Sequence, residues 1–112
     1  MKKLRKKPTD LQLSKYDVNQ KIINELADAE SRTILFSIVN KARTAEELSR
    51  LYKIPISTVY SKLNDLENLS LVHIDKYWFT NHGKKIKFFK SRISKARIII
   101  QNSKPILYLS PN

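Results

Sequence analysis

The chain of 112 residues contains no cysteine and only one glycine. Without cysteine, a disulfide scaffold, a thiolate metal site and a cysteine nucleophile are all excluded. A single glycine also excludes a Gly-rich loop of the kind that binds phosphates. The two histidines, His73 and His82, lie nine positions apart, and no acidic residue follows Asp75. We therefore expect no metal site, no cofactor and no enzymatic activity.

Long apolar runs are missing as well. No run approaches the roughly 20 residues of a membrane span, so the sequence predicts no membrane segment. The basic start MKKLRKK is not followed by an apolar segment, which argues against a secretory signal. Together with the lack of cysteine this predicts a cytoplasmic protein, and the length predicts one domain.

Acidic side chains are absent from both ends of the chain. Residues 1–9 carry five basic side chains, and residues 76–112 carry nine. Residues 10–75 are nearly neutral, so the formal net charge of +12 belongs to the two ends. This pattern favours a nucleic acid as partner, because neutralised phosphates release counterions. A basic surface kept for solubility is the alternative. A membrane surface is disfavoured, since the basic segments lack a broad apolar helical face.

The spacing of apolar residues predicts three or four helices. One starts near Asp17, and a second runs over about 29–40 with Asp28 as its N-cap. Residues 1–15 are predicted to form a basic, flexible arm, since Pro8 disfavours helix before it.

The motif Thr-Ala-Glu-Glu at 44–47 gives the clearest helix start. The Thr44 hydroxyl and the Glu47 carboxylate can each accept from the other residue's backbone N–H, which forms a capping box. This short helix is expected to turn Leu51 inward and to end near Tyr52. Because Pro55 suits the first position of another helix, only three residues separate the two, a spacing typical of a helix-turn-helix.

The next helix, from about Ile56 to Leu69, has two unlike faces. Val59, Leu63 and Leu66 form an apolar side, and small polar groups lie opposite at 100° per residue. Such groups would allow the helix to enter a major groove and to bond to base edges or phosphates. The alternative is an ordinary solvated surface. The candidate DNA-binding residues on this helix are Ser57, Thr58, Tyr60, Ser61, Lys62 and Asn64, with Lys62 reaching for a phosphate.

After Leu69 the chain becomes rich in β-branched and aromatic residues. Strands are predicted near 72–74, 77–79 and 85–91, with a turn at Gly83. A last pair at 96–101 and 106–110 suits a hairpin with a four-residue loop, Asn-Ser-Lys-Pro. Alternation along a strand places Ile86 and Phe88 inward. The first hairpin contributes four more candidate DNA-binding residues: His82, Lys84, Lys85 and Lys87.

Three consecutive aromatic residues precede that turn. We expect Tyr77, Trp78 and Phe79 to belong to the core rather than to stack on bases, and an exposed Trp78 would contradict this.

The stretch TAEELSRLYKIPISTVYSKLNDLENLSLV (44–72) resembles the winged helix-turn-helix transcription regulators, and most of all the small archaeal ArsR-like DNA-binding proteins. The resemblance implies an α+β winged helix-turn-helix fold at 16–91, with three or four helices, a β-hairpin wing and a further C-terminal hairpin at 92–112. The sequence departs from the family pattern at Lys53 and Ser70, where glycine is usual. A left-handed backbone at a residue other than glycine costs about 1 kcal/mol or somewhat more.

The expected function is therefore a sequence-specific, double-stranded DNA-binding transcriptional regulator. Many such proteins are dimers, and if this chain pairs with itself, either the helices before Arg43 or the C-terminal hairpin must provide the interface. The apolar segment 98–109 is the candidate, and the alternative is that it simply completes the core sheet. No membrane partner is expected. Two alternatives stay open: an RNA-binding or ribosome-associated basic module, and a protein-interaction winged helix within a larger transcription assembly.

Overall fold

The computed structural model describes residues 10–112, which form an α+β structure of four helices followed by two antiparallel β-hairpins. The two hairpins are separate two-stranded sheets, named here the first hairpin (β1 and β2) and the second hairpin (β3 and β4). The elements are α1 (Asp10–Leu26), α2 (Ala29–Ser37), α3 (Ala45–Tyr52), α4 (Ile56–Asn68), β1 (Val72–Phe79), β2 (Lys85–Ser91), β3 (Ile93–Gln101) and β4 (Lys104–Pro111).

The first helix begins earlier than predicted. It starts at Asp10 and not near Asp17, so residues 10–15, which the sequence assigned to the N-terminal arm, are helical. Proline restricts the residue before it, which leaves the residues after Pro8 able to become helical. Residues 1–9, the rest of the predicted arm, lie outside the described residues.

Helix α2 starts as the sequence indicates. The Asp28 carboxylate accepts a hydrogen bond from the backbone N–H of Ser31 at 2.9 Å, which confirms Asp28 as the N-cap. The helix ends at Ser37 and not near residue 40, although Ile38 beyond its end is fully buried.

The core lies among the helices and the base of the first hairpin. Leu51, predicted to face inward, is 53% exposed, because α3 is covered on only one side. Complete burial of each large aliphatic side chain contributes about 1.5–3 kcal/mol. The fully buried apolar residues of the helical part include Ile34, Leu35, Ile38, Leu48, Val59, Leu63 and Leu66.

The connection between α3 and α4 has the predicted start and length. Both hydrogen bonds of the capping box are present, at 3.1 Å to the Thr44 hydroxyl and 2.9 Å to the Glu47 carboxylate. Lys53 is left-handed, with φ of 54°. The Ser49 hydroxyl donates to the backbone carbonyl of Ile54 at 2.6 Å. The backbone carbonyl of Ser49 accepts from the Ile54 N–H at 3.2 Å. These bonds hold the left-handed turn in place.

The first hairpin rests on the helices at its base. Arg43 and Phe89 exchange two backbone hydrogen bonds, of 3.0 and 2.8 Å, and Phe89 is buried. Strand β1 runs without a break over 72–79, whereas the sequence indicated two short strands at 72–74 and 77–79. Between those two segments lies a β-bulge at Asp75, where the pairing register shifts between Ile74 and Lys76.

The second hairpin turns more tightly than predicted. Its loop is Asn102 and Ser103 alone, with φ of 53° and 64°, and Lys104 already pairs with Gln101. Positive φ at both residues defines a type I′ turn, which matches the twist of the strands. A four-residue loop was therefore the wrong prediction. The Asn112 amide anchors the hairpin base by donating to the carbonyls of Val39 and Ser91, at 2.7 and 3.0 Å.

Candidate nucleic-acid interface

Helix α4 presents its polar face to solvent. Its apolar side, formed by Val59, Leu63 and Leu66, is at most 1% exposed and fixes the rotation of the helix. The predicted residues on the opposite side are consequently exposed: Ser57, Tyr60, Ser61 and Asn64.

Two other predicted residues lie on the flank of α4 rather than on this face. Thr58 is half-buried. The Lys62 ammonium is 3.1 Å from the Asp28 carboxylate, so Lys62 joins α4 to the start of α2. The Ser31 backbone N–H and then Lys62 lower the pKa of Asp28, and the hydrogen bond to Asp28 raises the pKa of Lys62. The Lys62 ammonium, expected to reach for a phosphate, is therefore engaged in an ion pair within the chain.

A cleft of about 330 Å³ separates α4 from the first hairpin. Tyr60 and Asn64 line it from the helix side. Lys84, Lys85 and Lys87 line it from the hairpin side. The structure thus brings five of the predicted residues together from two distant parts of the sequence.

Carboxylates also line the cleft, which the sequence did not predict. The Tyr60 hydroxyl donates to the Glu46 carboxylate at 3.2 Å, and Glu67 lies along the same wall. Partial burial, and then the nearby Glu46 charge, raise the pKa of the Tyr60 hydroxyl. The basic side chains of the cleft therefore lie on its hairpin side and the acidic ones on its helix side. Helical periodicity reports the faces of one helix and not which neighbour lies against them, so no sequence signal places Glu46 there.

The lysines of β2 face the cleft because Phe89 sets the orientation of the strand. Side chains two residues apart share a face, so Lys85 and Lys87 lie on the same face as buried Phe89. Ile86 and Phe88, expected to pack inward, lie on the other face and are only half-buried. The prediction assigned Phe88 to the core, whereas the buried residue of the pair is Phe89.

The aromatic residues of β1 are exposed, and the prediction that they belong to the core is wrong. Tyr77 is 46% exposed, Trp78 61% and Phe79 64%. The Lys85 ammonium lies 4.2 Å from the centre of the Tyr77 ring, a cation–π contact. These rings remain exposed because the hairpin extends past the helices, so the far part of β1 packs only against β2.

The tip of the first hairpin is an ordered turn. Thr80 and Lys84 are joined by a backbone hydrogen bond of 2.9 Å, and the Thr80 hydroxyl accepts from the Lys84 N–H at 3.0 Å. Gly83 has φ of 78°, a conformation that favours glycine. His82 lies in this turn, exposed and outside the residues that line the cleft.

No protein-family model matches this chain, and no curated protein matches it. Within residues 10–112, no helix has the length and apolar character needed to cross a membrane. In the same part of the chain, no three His, Asp or Glu side chains form a group that could hold a metal ion.

Proposed function

We propose that this chain is a winged helix-turn-helix protein of ArsR-like type that binds double-stranded DNA and regulates transcription. In this proposal α4 enters the major groove, and the first hairpin is the wing that contacts the flanking backbone. The order of four helices followed by an antiparallel hairpin is compatible with such a fold.

The cleft between α4 and the first hairpin is the observation that carries the proposal. Asn64 and Tyr60 supply hydrogen-bonding groups on one wall, and three lysines supply charge on the other. Within the described residues, no ion pair engages Lys84, Lys85 or Lys87. Ammonium groups without a carboxylate partner, beside a polar helix, suit a ligand with phosphates and base edges side by side.

The small side chains of α4 support major-groove entry. Ser57 and Ser61 are exposed and project little from the helix, so the backbone could approach the base edges closely. Lys62 takes no part, because it pairs with Asp28. The proposed DNA-binding residues are accordingly Ser57, Tyr60, Ser61, Asn64, His82, Lys84, Lys85 and Lys87, with Thr58 at the flank.

We further propose that the second partner is another copy of this chain, bound through the second hairpin. One face of that hairpin is apolar along its whole length, and most of it is uncovered. Ile100 is 71% exposed and Ile98 38%. A two-stranded hairpin is only marginally stable alone in water, so a partner on this face would stabilise it. The apolar face consists of Ala96, Ile98, Ile100, Pro105, Leu107 and Leu109.

The salt dependence of duplex binding tests the role of the first hairpin. The double variant Lys84→Ala with Lys85→Ala should weaken binding to every duplex. Because two phosphate contacts are lost, it should reduce the slope of log affinity against log salt by about two units. Fluorescence anisotropy at several salt concentrations measures both quantities.

A matched control and a second variant separate charge from recognition. Lys95→Ala with Lys104→Ala removes the same charge from the second hairpin and should leave the slope nearly unchanged. The triple alanine variant at Ser57, Ser61 and Asn64 should reduce discrimination among duplex sequences and keep the slope. The proposal would be refuted if Lys84→Ala with Lys85→Ala left the slope of log affinity against log salt unchanged. It would also be refuted if the wild type bound structured RNA more tightly than every duplex at equal salt.

A further inference from the structure

The far half of the first hairpin carries aromatic rings on both of its faces. Paired residues of two strands share a face, so Phe79 lies with Lys85, and Trp78 lies with Ile86 on the opposite face. These are the last two pairs before the turn, at the opposite end of the hairpin from its base. Rings exposed by 61% and 64% on opposite sides of a thin two-stranded ribbon form a wedge.

The charge around these rings indicates what they bind. Residues 72–91 contain five lysines and a single acid, Asp75. The Lys76 ammonium lies 4.9 Å from the centre of the Phe88 ring, and Lys85 covers Tyr77. An apolar partner protein would have to bury these lysines, whereas a nucleic acid would pair with them. A strand whose bases are unstacked offers both the flat apolar faces and the phosphates that the hairpin needs.

A fully paired duplex does not use the rings. In duplex DNA the bases stack on one another, and a protein can reach only their edges in the grooves. Apolar side chains contact base faces when they are inserted between base steps and unstack them. Two rings on opposite faces of a ribbon would each contact one base when the ribbon lies between them.

We propose that the far half of the first hairpin is a binding site for unpaired bases of DNA, in which Trp78 and Phe79 stack on bases and the neighbouring lysines hold the phosphates. The proposal rests on the DNA-binding function proposed above. It adds to that function a preference for duplexes with a locally opened segment.

The single tryptophan of the chain makes stacking directly measurable, because Trp78 is the only source of tryptophan fluorescence. Four ligands of one sequence are compared: a fully paired duplex, the same duplex with a four-base unpaired bubble, single-stranded DNA and single-stranded RNA. The bubble should quench Trp78 fluorescence strongly and bind about a hundredfold more tightly than the paired duplex, as expected for two stacked bases that contribute about tenfold each. The paired duplex should cause little quenching.

Three variants identify the residues responsible. Trp78→Ala and Phe79→Ala should each lower the preference for the bubble by about tenfold and keep the salt slope of duplex binding. Trp78→Phe should retain it, because a ring is still present. Tyr108→Ala is the matched control, because this ring is 47% exposed on the second hairpin and the Arg97 guanidinium lies 4.9 Å from its centre. Loss of the Tyr108 ring should change neither the preference for the bubble nor the salt slope. Circular dichroism checks that each variant is folded.

Equal affinity for the bubble and the paired duplex, without quenching, would overturn the proposal even if sequence-specific duplex binding were found. Loss of self-association in Trp78→Ala with unchanged bubble binding would also overturn it, and would assign the rings to a protein contact. Stronger quenching and tighter binding by RNA than by the bubble would overturn the assignment to DNA. Failure of the proposed sequence-specific DNA binding would give a different result, namely duplex binding without any sequence preference.

Discussion

Lys53 and Ser70 hold left-handed backbones at the ends of α3 and α4, with φ of 54° and 62°. Both are positions where the ArsR-like resemblance leads one to expect glycine. The structure therefore accepts the strain at both sites rather than avoiding it. At Ser70 the compensation is a pair of hydrogen bonds that close α4, from the N–H of Ser70 to Glu67 and from that of Leu71 to Leu66, both 2.9 Å.

Relief of that strain gives a prediction at the residue scale. Ser70→Gly should raise the free energy of unfolding by about 0.5–1 kcal/mol, since the strain removed exceeds the entropy that glycine adds to the unfolded chain. Urea unfolding followed by circular dichroism measures the change. Ser61→Gly, inside α4, should lower the free energy of unfolding by about 0.5 kcal/mol. A Ser70→Gly variant that is destabilised as much as Ser61→Gly would show that the left-handed conformation is not strained.

At the scale of elements, α4 is fixed to its neighbours by both apolar and polar contacts. Its buried side chains set its rotation, and Lys62 joins its flank to the N-cap of α2. An exposed ion pair contributes little to stability. In the proposed DNA-binding function, Lys62 is for this reason not counted among the residues that face the groove.

The pKa shifts of this pair predict a pH dependence. The pKa of Asp28 is lowered, so its stabilising effect is fully present above about 3.8 and is lost as the pH falls through the lowered value. The pKa of Lys62 is raised, so its effect is lost only above about 10.5. Asp28→Asn keeps an N-cap group and removes the charge. It should be less stable than wild type at pH 7, and the difference should shrink as the pH falls below about 3.8 and through the lowered pKa of Asp28.

Urea unfolding between pH 2.5 and pH 8 checks this prediction. Asp65→Asn, which changes the net charge equally on the exposed side of α4, serves as the control. If both variants show the same dependence on pH, the effect comes from net charge and not from the contact with Lys62.

At the scale of the whole molecule, the second hairpin extends from a body that anchors it only at its base. Ala96 and Leu107 pack against the core, whereas Ile100, nearer the turn, is largely exposed. An apolar ribbon of this kind is unlike the usual surface of a monomer. The proposed homodimer would cover it.

Ile100→Lys should convert the dimer to a monomer, because a charge would lie in the apolar contact. Light scattering with size-exclusion chromatography should give twice 13.1 kDa for wild type and 13.1 kDa for the variant. Gln101→Lys adds the same charge on the opposite face and should remain dimeric. A monomeric wild type at micromolar concentration would refute self-association through this hairpin.

The sequence by itself determined most of the helical part of the fold. The capping box at Thr44, the three-residue connection before α4 and the apolar side of α4 were all predictable, because they follow from local hydrogen bonds and from helical periodicity. The distribution of charged residues along the sequence likewise shows that the excess positive charge lies in the two ends of the chain. The start of α1 was not predictable in the same way, since polar residues carry only a weak helical signal.

Tertiary structure alone decided which faces of the hairpins are covered. A single bulge residue, Asp75, reverses the alternation along β1, and the buried ring of Phe89 assigns the faces of β2. Both depend on contacts between distant segments, so local sequence cannot fix them. Trp78 was expected in the core and is exposed, because the far part of β1 packs only against β2. The lysines of the first hairpin face Asn64 across the cleft, because the hairpin base docks against Arg43.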